Sequence, residues 1–169
     1  MKHILPILTI TTLAAAASAQ SAASSGLSYN RVGLGYNTDS KGYSLSASAL
    51  IGSSNFLLSG STTIGGGSQL GNGADSVSLG YVFKNVAYGI DATVSVGSNE
   101  SYGLNLRKDL GNNFEAAASY SRDKVNNSGN NGWGVELAYN VSKQIQLAVG
   151  YSDTQATKGT TDLTVRYNF

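Results

Sequence analysis

Cysteine is absent from all 169 residues, so a disulfide framework and a lipid-modified N-terminal cysteine are both excluded. Histidine occurs once, at His3, and proline once, at Pro6, both within the first ten residues. Charge is scarce: Asp, Glu, Lys and Arg make up 12% of the chain, about half the usual share of a soluble domain. No apolar run is long enough to cross a bilayer as a helix. A water-soluble protein of this size covers its outside with long charged side chains, and this chain has Gly, Ser, Asn and Thr instead. Ten tyrosines and regularly spaced apolar residues argue against disorder.

The first residues read as an export signal. Lys2 and His3 precede the apolar stretch from Ile4 to Ala17, and Ala17-Ser18-Ala19 supplies small residues for a peptidase. Residues 1–19 are therefore expected to be cleaved, leaving one domain over 20–169. Without Lys2 that domain has ten basic and ten acidic residues, which offers no field for gathering nucleic acid.

From there the pattern has period two. Val86, Tyr88, Ile90, Ala92, Val94 and Val96 alternate with small or polar neighbours, as do Trp133, Val135, Leu137, Tyr139 and Val141. Marking every such run predicts about ten strands, near 26–36, 42–52, 55–64, 75–83, 86–97, 101–108, 113–123, 132–141, 144–152 and 160–169. In the first, Leu27 and Tyr29 fall out of phase with Val32, Leu34 and Tyr36, and a bulge near Asn30 and Arg31 would reconcile them. Tight turns are expected at 53–54, 84–85, 109–112 and 142–143, with the longest loops at 65–74 and 124–131. Residues 98–100 are short for the long side. Short turns at one end and longer loops at the other are the pattern of an outer-membrane barrel with both chain ends in the periplasm.

Three features turn the apolar face toward lipid rather than inward. The polar face is mostly small residues with isolated charges, whereas a water-facing exterior would be rich in Lys and Glu. Aromatics gather near strand ends, as interfacial girdles do. Tyr36, Tyr43, Tyr102, Tyr120, Trp133 and Tyr151 fall on the loop side, and Phe56, Tyr81, Phe83, Tyr88, Phe114, Tyr139, Tyr167 and Phe169 on the turn side. The third feature is the alternating end, Leu163, Val165, Tyr167 and the terminal Phe169. It resembles the C-terminal strand signal of bacterial outer-membrane proteins. With the opening strand from Tyr29 to Tyr36, the chain resembles the small outer-membrane barrels of opacity and OmpA type. The resemblance implies a closed antiparallel up-and-down barrel, insertion by the barrel-assembly machinery and a partner in outer-membrane lipid. Eight strands, the number of many such barrels, is the alternative to ten.

Function is far less legible. Residues 20–169 contain neither histidine nor cysteine, so a Ser-His or Cys-His nucleophilic pair and a zinc site built from those residues are excluded. No cofactor, metal or catalytic site is expected. An enzyme would have to work through carboxylates or lysine, and Glu115 with Glu136 is a poor glycosidase signal because interior charges are ordinary in such barrels. Arg31, Asp91, Arg107, Glu115, Glu136, Asp162 and Arg166 are the candidate lumen charges. They either line a narrow path for ions or pair and fill the bore, and the small bore of a ten-stranded barrel favours filling. The glycines of 65–67 and 71–73 lack the strand-to-helix context and the lysine of a phosphate cradle. Residues 123–131 lack the carboxylate spacing of a calcium loop. The leading expectation is a structural or surface-interaction barrel with a filled lumen and an unspecified surface ligand. A narrow channel for ions or small solutes is the alternative.

Overall fold

The computed structural model describes residues 26–65, 75–125, 128–155 and 158–169. The expected signal segment, residues 1–19, and most of the 65–74 loop lie outside them. Ten strands form the wall: β1 (Arg31–Asn37), β2 (Gly42–Leu50), β3 (Phe56–Gly65), β4 (Ser76–Ala87), β5 (Ile90–Gly97), β6 (Ser101–Gly111), β7 (Phe114–Val125), β8 (Ser128–Asn140), β9 (Ile145–Thr154) and β10 (Thr160–Asn168). Each pairs antiparallel with its sequence neighbours, and β1 pairs with β10, so the sheet closes on itself. The strand number is ten, not eight.

Following the hydrogen-bonded register once round the wall returns to the starting strand about twelve residues along it. With ordinary strand rise and spacing, that stagger gives a tilt of about 40° and a backbone radius near 10 Å. Such a bore is too wide for serine and glycine to fill.

The alternation sorts the side chains. Leu34, Leu79, Val94, Val96, Leu104, Val135, Leu137, Val149, Leu163 and Val165 project outward and are exposed. An apolar surface of this extent is intelligible only against lipid. Aromatics pair at two levels, across neighbouring strands except for Tyr167 and Phe169, which follow each other at the end of β10. Tyr36 with Tyr43 and Trp133 with Tyr151 stand at the loop level. Phe56 with Tyr81, Phe114 with Tyr139, and Tyr167 with Phe169 stand at the turn level.

Four local readings are corrected. First, β1 begins at Arg31 and carries no bulge. Leu27 and Tyr29 have the parity of the inward residues Arg31 and Gly33, and they turn into the lumen. Second, β4 runs past Lys84 and Asn85 to Ala87, with its irregularity between Phe83 and Ala87. The turn is Tyr88-Gly89, both at positive φ, so Tyr88 is 91% exposed at the tip and not on the outward face. Third, the β6–β7 turn sits at Asn112-Asn113, both at positive φ, preceded by a bulge between Asp109 and Gly111. Asparagine tolerates that conformation better than most residues. Fourth, the long loop expected over 124–131 is mostly ladder, because β7 and β8 stay paired as far as Val125 and Ser128. This hairpin stands about 10 Å beyond the loop-side girdle, at roughly 2.5 Å of axial rise per residue.

Val94 lies midway between the two girdles, 45% exposed and outward, while Ser95 on the same strand faces the lumen. Val94→Arg is expected to cost about 2–4 kcal/mol, and Ser95→Arg far less. A denaturant refolding titration in lipid vesicles checks this, and equal tolerance of the two would contradict the outward assignment.

Candidate functional site: the charged layer of the lumen

The lumen has two regimes. In its loop half the inward residues are almost all small: Gly33, Gly35, Ser44 and Ser46 on β1 and β2, with serines and glycines continuing round the wall. Serine hydroxyls pair across strands, Ser59 with Ser78 at 2.7 Å and Ser61 with Ser76 at 2.8 Å. Cavities of about 190 and 220 Å³ remain there, each bordered below by Arg31 and Arg166.

The turn end of the lumen is different. Residues 26–30 precede β1 and lie beyond the last β1–β10 register pair, Arg31 with Asn168. The last contact of that kind is Phe169 N–H to the Asn30 carbonyl at 3.0 Å. Beyond that pair the segment leaves the wall and folds inward, keeping contact with β2. Leu27 and Tyr29 are buried, at 3% and 4% exposure, in a cluster with Val82 and the partly buried Leu50 and Leu57. Ser48 Oγ donates to the Tyr29 carbonyl at 2.8 Å, and Leu50 N–H donates to Asn30 Oδ1 at 2.9 Å.

From this segment a polar network crosses to the far wall. Tyr29 Oη donates to Asp91 Oδ2 at 2.7 Å, and Asn85 N–H holds Asp91 Oδ1 at 2.8 Å. The Arg107 guanidinium lies over the Tyr29 ring, 4.7 Å from its centroid, and donates to the Ser28 carbonyl at 2.9 Å. Its Nε is 2.6 Å from Glu115 Oε1. Gln146 then bridges. Its Nε2 donates to Glu115 Oε2 at 3.0 Å, and its Oε1 accepts from Arg166 Nη1 at 3.1 Å. Arg166 completes the chain with a two-pronged pair to Glu136 at 2.6 and 2.5 Å.

The seven candidate charges all face the lumen, but they do not all meet. Register and tilt together place Arg31, Asp91, Arg107, Glu115 and Arg166 within about 5 Å of each other along the barrel axis. That height is the level of the turn-side aromatic girdle. Glu136 stands somewhat above and reaches down to Arg166. Asp162 is about 10 Å above Arg166 and accepts instead from Asn37 Nδ2 at 2.9 Å. Arg31 joins neither pair, and its Nη1 is buried without a partner. Reading the charges alone misses Tyr29, Ser28 and Gln146, which link the separate pairs into one layer. The signal for Tyr29 was present, in the parity it shares with Arg31. No group of residues able to hold a metal occurs among the described residues.

Leu163, Val165 and Tyr167 lie outward on β10, and Phe169 stacks near Tyr167 with ring centroids 6.4 Å apart.

Neither a protein-family model nor a curated protein matches the chain. Solved structures do. The KdgM porin, in complex with disordered oligogalacturonate, aligns with a TM-score of 0.50 at 15% identity, over 82% of this chain and 99% of that one. The NanC porin aligns at 0.46 and 12% identity, over 83% and 98%. The Acinetobacter baumannii outer membrane protein Omp33 aligns at 0.36 and 10% identity, over 85% and 100%. At such identities the likeness concerns the fold, which is that of outer-membrane porin-type barrels.

Removing one partner of a buried ion pair leaves the other uncompensated. Glu115→Leu is therefore expected to destabilise the barrel by about 3–5 kcal/mol in urea unfolding. The double change Arg107→Met with Glu115→Leu should recover most of that loss.

Proposed function

We propose that this protein is a porin-like outer-membrane barrel that passes ions or small polar solutes, with the layer at the turn end as its restriction. The observation that carries the reading is the lining of the loop half. A barrel this narrow is readily filled by large side chains, as a purely structural barrel would be. Here small residues, serine and glycine foremost, leave cavities of about 190 and 220 Å³ on the loop side of the layer. Among the described residues, large side chains cross the lumen at one level, which combines the inward segment 26–30 with the arginine–carboxylate layer.

The turn end, with both chain ends, faces the periplasm in this reading, and the protruding β7–β8 hairpin faces outside. Outer-membrane lipid meets the apolar band, and the assembly machinery takes Leu163, Val165, Tyr167 and Phe169 as its insertion signal. Residues 1–19 are removed on export. The resemblance to opacity-type and OmpA-type barrels rests on that C-terminal strand and the opening strand. No enzymatic step is assigned, since residues 20–169 lack histidine and cysteine. Segment 26–30 favours one further reading, a barrel closed at that level whose role lies in its loops.

Conductance of the refolded mature chain in planar bilayers separates the two readings. Small, reproducible steps are expected, and neutralising Asp91 or Glu136 should shift ion selectivity. The variant with Leu27→Gly and Tyr29→Gly removes the crossing side chains, and its step should rise roughly two- to fivefold because the narrowest layer limits passage. A folded but silent barrel in both forms would favour the closed, structural role.

A further inference from the structure

Below the charged layer the turn end opens into a cavity of about 700 Å³, which borders the restriction at Tyr29, Glu115 and Gln146. Its size falls in the range of small-molecule sites. Its lining is unusual in kind. Carboxamides recur in it: Asn30 from the segment before β1, Asn112 and Asn113 from the β6–β7 turn, Asn140 from the end of β8, Gln144 from the turn before β9, Gln146 from β9, and Asn168 from β10. Turn geometry accounts for Asn112 and Asn113, which sit at positive φ, but not for the other five.

The charges at the rim, Asp109 and Lys143, offset each other, and Glu115 is committed to Arg107. The cavity therefore offers little to a strongly charged ligand. Gln146 is committed to Glu115, Arg166 and Asn140, but the carboxamides of Asn112, Asn113 and Gln144 each present a donor and an acceptor side by side, the complement of adjacent hydroxyls on a ring. Leu27 and Phe169 add apolar surface beside them, suited to the carbon face of such a ring. Asn168 supplies an independent sign that something is missing. Its side chain is 7% exposed, and its Oδ1 is buried with no hydrogen-bond partner. A buried acceptor without a donor is costly, and a ligand hydroxyl would relieve it.

We infer that this turn-side cavity binds a neutral, polyhydroxylated ligand of the saccharide class. Part of an envelope glycan and a free oligosaccharide share that chemistry, and two probes represent them: chitotriose for the amino-sugar polymer and maltotriose for the free sugar. The isotope-labelled mature chain is refolded in an amine-oxide detergent, since a sugar headgroup would compete. Its side-chain amides are then followed by NMR as each probe is added. Saturable shifts at Asn140, Gln144 and Asn168 are expected with at least one probe, and the probe that saturates first identifies the source. Asn168→Leu and Gln144→Ala should each weaken binding about tenfold, while Ser119→Ala, in the loop-side chamber, should leave it unchanged. Gln144 lies in a surface turn, so its variant tests the site even if Asn168→Leu fails to fold. The inference is overturned if neither trisaccharide gives saturable shifts up to tens of millimolar, roughly the weak end of specific binding. Equal shifts with sodium acetate, or unweakened binding in Gln144→Ala, would overturn it as well. None of these readouts depends on conduction, so a silent barrel that binds saccharide and a conducting barrel that does not are told apart.

Discussion

Everything in this structure depends on closing the backbone ladder. In hydrocarbon no water is available to an unpaired N–H or C=O, so a sheet with a free edge is not an option. The β1–β10 pairing, seven residue pairs from Arg31 with Asn168 to Asn37 with Asp162, removes that edge. Proline is absent after Pro6, and no strand loses a donor. Closure also fixes the tilt and hence the bore, and the bore decides how much of the interior side chains can fill. The inward fold of residues 26–30 is a consequence of the same rule at its margin. Where β10 ends at Asn168, the chain before Arg31 has lost its ladder partner on that side and satisfies its groups from inside the barrel.

Strand number, wall topology and outward face were legible because period two is imposed separately on every strand. Val94 beside Ser95, or Leu137 beside Glu136, declares its face without any knowledge of neighbours. The candidate charges were found by the same rule. What could not be read is their height. Asp91 and Arg166 are far apart in sequence and on different strands, and they share a level only after register and tilt are added together. A different stagger would have spread the same charges along the bore. Glu136 and Asp162 illustrate the point, since both are interior carboxylates but only Glu136 reaches Arg166.

Turn positions failed for a more local reason. Lys84-Asn85 and the 109–112 stretch contain acceptable turn residues, and nothing in composition ranks them below Tyr88-Gly89 or Asn112-Asn113. The ladder decides, by letting β4 and β6 continue through a bulge where each further pair adds a hydrogen bond. The phase break at Leu27 and Tyr29 was visible but was read as a wall irregularity. The parity rule itself pointed inward, and taking it literally would have found the segment that crosses the lumen.

The distribution of size inside the barrel bears on what the barrel is for. A lumen whose only task was to be stable would gain from large apolar or paired side chains at every level, because each buried group adds dispersion and excludes water. Among the described residues this lumen does so at one level and leaves mostly small or short polar residues elsewhere. At that level it spends three arginines, an arrangement that is weak evidence for stability, since a buried ion pair can cost as much to desolvate as it returns. In the proposed reading the layer is a polar constriction rather than a core: polar contacts around Tyr29 can be exchanged for contacts with water, whereas a packed apolar layer of the same thickness would have to be rebuilt.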